Sequence, residues 1–270
     1  MKFFIIDTSM TYQATTPLRQ PLGGTQSAIC YFSLALSQLG HTVFLLNQAD
    51  TSLKTDVRNL HLPKKDFALY LQSYLKKYQP DVVISQAEPN TLVMSKKTHP
   101  KCETIFWTQH DTNLVKQKIV KPEIDWYFFV SDWQRMQYLQ KFKIPAVKTY
   151  VLRNCMSHPV SQVCNVPYQE KPTLVYTSAP FRGLHLLVKM LPTLKEKIPD
   201  LQVKIFSSLK TYQLTDDFPS LQKLHHQIKE LPSGPKWVKF IPGASQVEMA
   251  QEIAGAHFMV YPNIFPETSC

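Results

Sequence analysis

The chain has 270 residues, 44% of them hydrophobic and 11% aromatic, and a formal net charge of +10. That apolar content excludes a disordered chain and suffices for one large domain or two ordinary ones. The five cysteines, Cys30, Cys102, Cys155, Cys164 and Cys270, are odd in number, scattered, and never at CxxC spacing. This pattern argues against a disulfide framework or structural zinc and for reduced thiols in a cytoplasmic protein.

The amino terminus, MKFFIIDTS, is apolar for only a few residues before Asp7 interrupts it. That is too short for a signal peptide or a membrane span, and it reads as a first buried strand. The charge is uneven: residues 1–165 hold 19 Lys/Arg against 11 Asp/Glu, whereas residues 166–270 hold 11 against 9. The excess, which includes Lys64, Lys65, Lys76, Lys77, Lys96 and Lys97, has two readings. One is a basic face for an anionic membrane surface or a charged acceptor; the other is an ordinary solvated lysine-rich surface. Nucleic acid is not indicated: the lysines are not interleaved with aromatics, and no helix-turn-helix, finger or RNA-binding signature is present.

In chain order, apolar runs suited to fully buried strands fall at Phe3–Ile6, Val43–Leu46, Val82–Ser85, Thr104–Trp107 and Trp126–Val130. Helical patterns fall at Gly24–Leu39, Phe67–Tyr78 and Asp132–Phe142, with Ser131 as a candidate N-cap for the last. The stretch 157–172 is rich in Pro, Ser, Gln and Asn, lacks periodicity, and reads as a linker. Beyond it, strands are expected at Thr173–Thr177, Gln202–Phe206, Val238–Phe240 and Phe258–Tyr261, the last within a buried run from His257. Helices are expected around Leu184–Lys197, Ser220–Leu231 and Gln246–Ala254. Strands alternating with helices imply βαβ units and parallel sheets. The expected class is α/β, with two tandem Rossmann-like domains over residues 1–156 and 173–270.

Four places carry chemistry. Gly23 and Gly24, followed by Thr25 at a helix head, let backbone approach a diphosphate or an acceptor oxygen; a turn needing positive φ is the alternative. His110 and Asp111 follow a buried strand, where an imidazole oriented by a carboxylate suits a sugar hydroxyl or developing charge. Thr177–Gly183 is a short loop with Ser178, Arg182 and Gly183 ahead of an amphipathic helix. An arginine there opposes the helix dipole and calls for an anion such as a phosphate, although no Walker loop is present. Glu267 lies in a Pro-bounded loop after the last strand, where an acidic residue also suits a first helical turn.

Together these segments resemble the retaining group 1 glycosyltransferases, often called family four. GGTQSAICYFSLALSQLGHTVFLL is similar to that family's Gly-Gly loop and first helix, and VSDWQRMQYLQKFKIPAVKTYVLRNCMS to the segment closing its first domain. YTSAPFRGLHLLVKMLP and YPNIFPETSC resemble its two donor-binding segments. The resemblance implies the GT-B architecture and a metal-independent, configuration-retaining transfer of a sugar. The donor would be a nucleotide sugar and the acceptor a hydroxyl of a glycan or a lipid-linked or other molecule. No cofactor is implied beyond the donor substrate, and no metal.

Carried over by position, the candidate catalytic residues are His110, Arg182 and Glu267. Donor binding falls to Gly23, Gly24, Ser178, Arg182, Gly183 and Glu267, and the acceptor side to Gly24, Thr25, His110 and Asp111. Departures are Asn154-Cys155 in place of the usual Asn-Gly and Ser178 near a position where many relatives carry arginine. The family's second glutamate, about two helical turns past Glu267, falls beyond Cys270. The resemblance therefore implies a carboxyl-terminal domain cut short, and a catalytically incomplete member that only binds nucleotide is the alternative. A basic peripheral membrane-binding protein on the same fold is the other.

Overall fold

The computed structural model describes residues 1–50, 56–231 and 236–268; Cys270, expected as a free thiol, lies outside them. The chain divides into two compact units. The first holds residues 1–14 and 25–155 together with the residues from Pro266, and the second holds 15–24 and 156–265.

In the first unit seven parallel strands run β1 (Lys2–Ile6), β2 (Thr42–Asn47), β3 (Val57–His61), β4 (Val82–Gln86), β5 (Glu103–Thr108), β6 (Trp126–Phe129) and β7 (Thr149–Val151). Their spatial order is β3-β2-β1-β4-β5-β6-β7. The helices are α1 (Gly24–Gln38), α2 (Phe67–Tyr78), α3 (Pro89–Thr98) and α4 (Asp132–Phe142). Side chains alternate across a strand, so Phe4 and Ile6 face one layer and Phe3 and Ile5 the other. Both sets are buried, which is why β1 reads as a continuous apolar run. One face packs Phe4, Leu46, Val83 and Phe106 against Leu71 and Leu75 of α2, Leu92 of α3 and Tyr138 of α4. The expected N-cap of α4 forms, with the Ser131 hydroxyl accepting from the Gln134 N–H.

The second unit carries a four-stranded parallel sheet of β8 (Thr173–Tyr176), β9 (Gln202–Phe206), β10 (Val238–Ile241) and β11 (Phe258–Met259), in the order β10-β9-β8-β11. Its helices are α5 (His158–Gln162), α6 (Leu184–Lys197), α7 (Pro219–Lys229) and α8 (Gln246–Ile253). Leu184, Leu187, Val188 and Leu191 form the apolar stripe that seats α6 on Leu174, Tyr176, Val203 and Ile205.

Four features differ from the sequence reading. β3 and β7 are short edge strands whose polar residues hide a strand signal, and α3 opens on Pro89 without a clean apolar stripe. The stretch 157–172, read as a linker, holds α5 and packs into the second unit. There the Ser157 hydroxyl donates to Gln246 Oε1 (3.0 Å) and the Gln169 N–H to the Gly255 carbonyl (2.8 Å). Residues 15–24 also join that unit, with the Pro21 ring against Gly243. The run expected as a buried strand is instead the two-residue β11 at the sheet edge, with Phe258 65% and Met259 63% exposed.

α8 begins with a capping box: the Ser245 hydroxyl accepts from the Glu248 N–H (3.2 Å), and the Glu248 carboxylate accepts from the Ser245 N–H (2.8 Å). The hydrogen bonds to Ser245 hold the Glu248 carboxyl below its ordinary pKa. Ser245→Ala removes the hydroxyl half of the box and should cost about 1 kcal/mol, read as a lower urea midpoint with an unchanged slope.

Candidate functional site

The strand order places β1 between β2 and β4, so the chain leaves β1 to one side and returns to the other. Loops diverge at such a switch point and leave a crevice at the strands' carboxyl ends. A cleft of about 430 Å³ sits there, lined by Asp7 to Ser9 after β1, Gln86 to Glu88 at the end of β4, His110 after β5, and Leu114 to Gln117.

Asp7 anchors this cleft, and the sequence reading used it only as the end of an apolar run. It is 2% exposed, and a buried carboxylate needs donors around it. It accepts from the Ser9 N–H (3.0 Å) and hydroxyl, the Tyr12 hydroxyl (2.8 Å) and Gln26 Nε2 (3.0 Å). Burial, with Asp7 beside it, pushes the Tyr12 phenol well above its ordinary pKa and keeps it a donor. One carboxylate thus ties the end of β1, the following loop and α1 together.

His110 is held through its backbone. Its N–H donates to Thr108 Oγ1 (3.2 Å), and its carbonyl accepts from Gln134 Nε2 (2.9 Å) and the Tyr138 hydroxyl (3.0 Å). Gln134, also missed in the sequence, further donates to the Thr108 carbonyl (3.2 Å) and accepts from the Val130 N–H (2.8 Å). Its polar type in a helical pattern gave no hint of a fully buried clamp. Burial lowers the His110 pKa, against the smaller opposing pull of Asp7 and Glu88. The imidazole is neutral at pH 7 and suited to exchanging hydrogen bonds with an uncharged ligand.

Asp111 was expected to orient that imidazole. Its carboxylate instead caps the turn Thr112–Leu114 by accepting from the Asn113 N–H (2.8 Å). The carboxylates that act on His110 are Asp7 and Glu88. Thr25 lies in the first turn of α1, half-buried. Gly23 is buried, and Gly24 is exposed at the helix start, where an added Cβ would meet nothing within 4 Å. Packing does not demand a glycine at 24, which leaves open space beside that helix head.

Glu267, expected in the second domain at a helix start, belongs to the segment that packs with the first unit. It is half-buried and outside any helix among the described residues. Next to it the Thr268 hydroxyl donates to the Gln109 carbonyl (2.8 Å), and the Thr268 carbonyl accepts from the Ser131 hydroxyl. These bonds fix the segment at the ends of β5 and β6.

The second unit has its own switch point, between β8 and β11. After β8 the loop runs through Ser178, whose carbonyl accepts from the Ser207 hydroxyl (2.7 Å), to Arg182 and Gly183. The Arg182 guanidinium lies 4.4 Å from the centre of the Phe265 ring and 5.9 Å from that of Phe181. Cation–π contact on two rings holds the charge in place. α6 starts immediately after, with no side-chain cap and no acidic residue in its first turn. A cation beside an uncapped helix N-terminus is a strong setting for an anion. Gly183 has φ +97°, and a Cβ there would fall 1.9 Å from the Pro262 carbonyl oxygen. Close packing of the β8 and β11 loops, rather than a ligand, is what requires glycine at 183.

No protein-family model and no curated protein matches the chain. Solved structures do match over nearly its whole length. One is a glycosyltransferase from Rickettsia africae, with TM-score 0.68 and 15% identity, covering 98% of this chain and 74% of that one. A second is HepE from Anabaena in complex with UDP and glucose, with TM-score 0.64 and 15% identity, covering 99% and 75%. The fold is GT-B. The UDP-GlcNAc 2-epimerase of Neisseria meningitidis bound to UDP-GlcNAc also shares it, with TM-score 0.56 and 13% identity, covering 96% and 76%. The GT-B fold thus serves both transfer and epimerisation of sugars, and it does not choose between them.

Two predictions follow the geometry. Gly183→Ala forces a non-glycine into positive φ against a carbonyl and should cost at least about 1–3 kcal/mol in urea unfolding. For His110 the native pKa lies below the ordinary 6.5, so the unfolded chain takes up its proton first. Stability is therefore present above about pH 6.5 and lost as pH falls from there toward the native value. His110→Gln should flatten that loss, leaving the share of His225, whose pKa burial also lowers. An unchanged profile would place the imidazole in solvent.

Proposed function

We propose that this protein transfers a sugar from a nucleotide-sugar donor to a hydroxyl acceptor. The observation that carries the reading is Arg182, seated on Phe265 beside the uncapped N-terminus of α6. Breaking an anomeric C–O bond puts negative charge on the departing nucleoside diphosphate. A preorganised guanidinium and the positive end of the α6 dipole stabilise that charge more than they stabilise the bound ground state. Support comes from the GT-B structures, HepE with UDP and glucose among them.

In this reading the second unit holds the diphosphate through Arg182, Ser178 and the first turn of α6. In its own cleft the first unit offers a neutral imidazole, His110, to a hydroxyl-bearing partner, with Thr25 in the first turn of α1. Glu267 binds a sugar hydroxyl. The reaction retains anomeric configuration by a front-face route and is metal-independent, because Arg182 and α6 neutralise the leaving group. The epimerase likeness favours one rival: rearrangement of a UDP-sugar without any acceptor.

UDP at about 100 times its dissociation constant should stabilise the protein by about 2.7 kcal/mol, seen as a raised Tm. Arg182→Ala should lower turnover about 10²–10³-fold, as for loss of one preorganised donor, with far-UV circular dichroism unchanged. Activity should survive EDTA, and the product anomer, read by NMR, should match the donor. Turnover in Arg182→Ala within a few-fold of the parent removes the assignment. Conversion of UDP-GlcNAc to its 2-epimer without acceptor replaces transfer with the rival.

A further inference from the structure

The cleft of the first unit contains a polar group that the fold leaves unused. Gln86, the last residue of β4, is 6% exposed, and its Nε2 has no hydrogen-bond acceptor among the described residues. Burying an amide N–H₂ without a partner is unfavourable, and folded chains keep such groups where something else satisfies them. Gln86 lines the cleft together with Glu88.

Between the two stands Ala87, a non-glycine at φ +55°, whose N–H donates to the Trp107 carbonyl (2.9 Å). The Ser85 hydroxyl donates to the Glu88 carbonyl (3.0 Å), and Gln117 Nε2 donates to the Ala87 carbonyl (3.2 Å) and to Glu88 Oε2 (3.4 Å). A left-handed alanine is a sparsely populated conformation, and here hydrogen bonds hold it from both sides. Its effect is to bring an amide donor and a carboxylate acceptor to one cleft from residues two apart.

We infer that Gln86 and Glu88 are the specificity-determining pair for a neutral, polyhydroxylated carbohydrate acceptor, Gln86 donating to one of its oxygens and Glu88 accepting from a hydroxyl. The charge of the lining selects this class. It holds one cation, Lys116, against two carboxylates, Asp7 and Glu88, and the His110 imidazole is neutral. A phosphorylated acceptor gains no net attraction from such a lining. Hydroxyls and amides of Thr8, Ser9 and Gln117 suit sugar hydroxyls, and Leu114 and Val115 offer an apolar wall to a pyranose face. The inference rests on the reading that the first unit receives the hydroxyl-bearing partner.

The test titrates the full chain with maltose, lactose, N,N′-diacetylchitobiose and glucose 6-phosphate, by calorimetry or saturation-transfer NMR, and with UDP in a separate arm. At least one neutral disaccharide should bind, and more tightly than glucose 6-phosphate. Gln86→Met should weaken that binding about ten-fold or more while leaving UDP binding unchanged and Tm equal or higher, because the unsatisfied amide is gone. Gln86→Glu keeps the shape, loses the donor and should weaken binding likewise, which covers a poorly folded Met variant. The inference is overturned if no disaccharide binds, if glucose 6-phosphate binds best, or if both variants keep the parent's affinity within two-fold. Loss of disaccharide binding in the variants supports it even if UDP fails to bind, an outcome that removes only the donor assignment.

Discussion

Everything functional here depends on where a parallel sheet changes direction. β1 and β8 each have the next strand in the chain on one side and a later strand on the other. Loops leaving adjacent carboxyl ends there diverge, and backbone that would otherwise be paired is free to meet a ligand. Both candidate sites, Asp7 to Ser9 with Gln86 to His110, and Ser178 to Gly183 with the loop after β11, stand at these two positions. The long hydrophobic layers behind them, from Phe4 to Tyr138 and from Leu174 to Ile228, exist to hold those strand ends still.

The two sites solve opposite electrostatic problems. In the first unit a buried carboxylate is satisfied entirely by Ser9, Tyr12 and Gln26, so Asp7 acts as a brace for the loop and not as an exposed acid. Its residual field and that of Glu88 reach His110, but desolvation outweighs them and keeps the ring neutral. In the second unit positive charge is concentrated: a guanidinium over Phe265, and the dipole of α6 beside it. One lining carries carboxylates and a neutral ring, the other a cation at a helix start.

The long elements were legible because their chemistry is local. α2, α4, β9 and α6 fall where periodicity puts them, since an apolar stripe or run follows from burial on one or both faces. Short edge elements were not: β7 has three residues and β3 mixes Arg58 and Asn59 with apolar positions. The stretch 157–172 reads as a linker by composition, yet its polar groups find partners on Gln246, Ala254 and Gly255 far along the chain. Apolar composition made β11 look buried, whereas Phe258 and Met259 are exposed.

The sequence by itself determined the α/β class, most strand and helix positions, and the residues Arg182, Gly183 and His110 as worth watching, because helix-start chemistry and strand ends are written in adjacent letters. Tertiary structure alone decided what those residues touch. It gave Asp111 to a turn, Gly183 to the Pro262 carbonyl, Glu267 to the first unit, and brought Asp7, Gln86 and Glu88 to one cleft with His110. The reason is physical: burial and hydrogen-bond partnership are set by strand order, and no spacing along a chain encodes which strand becomes the neighbour.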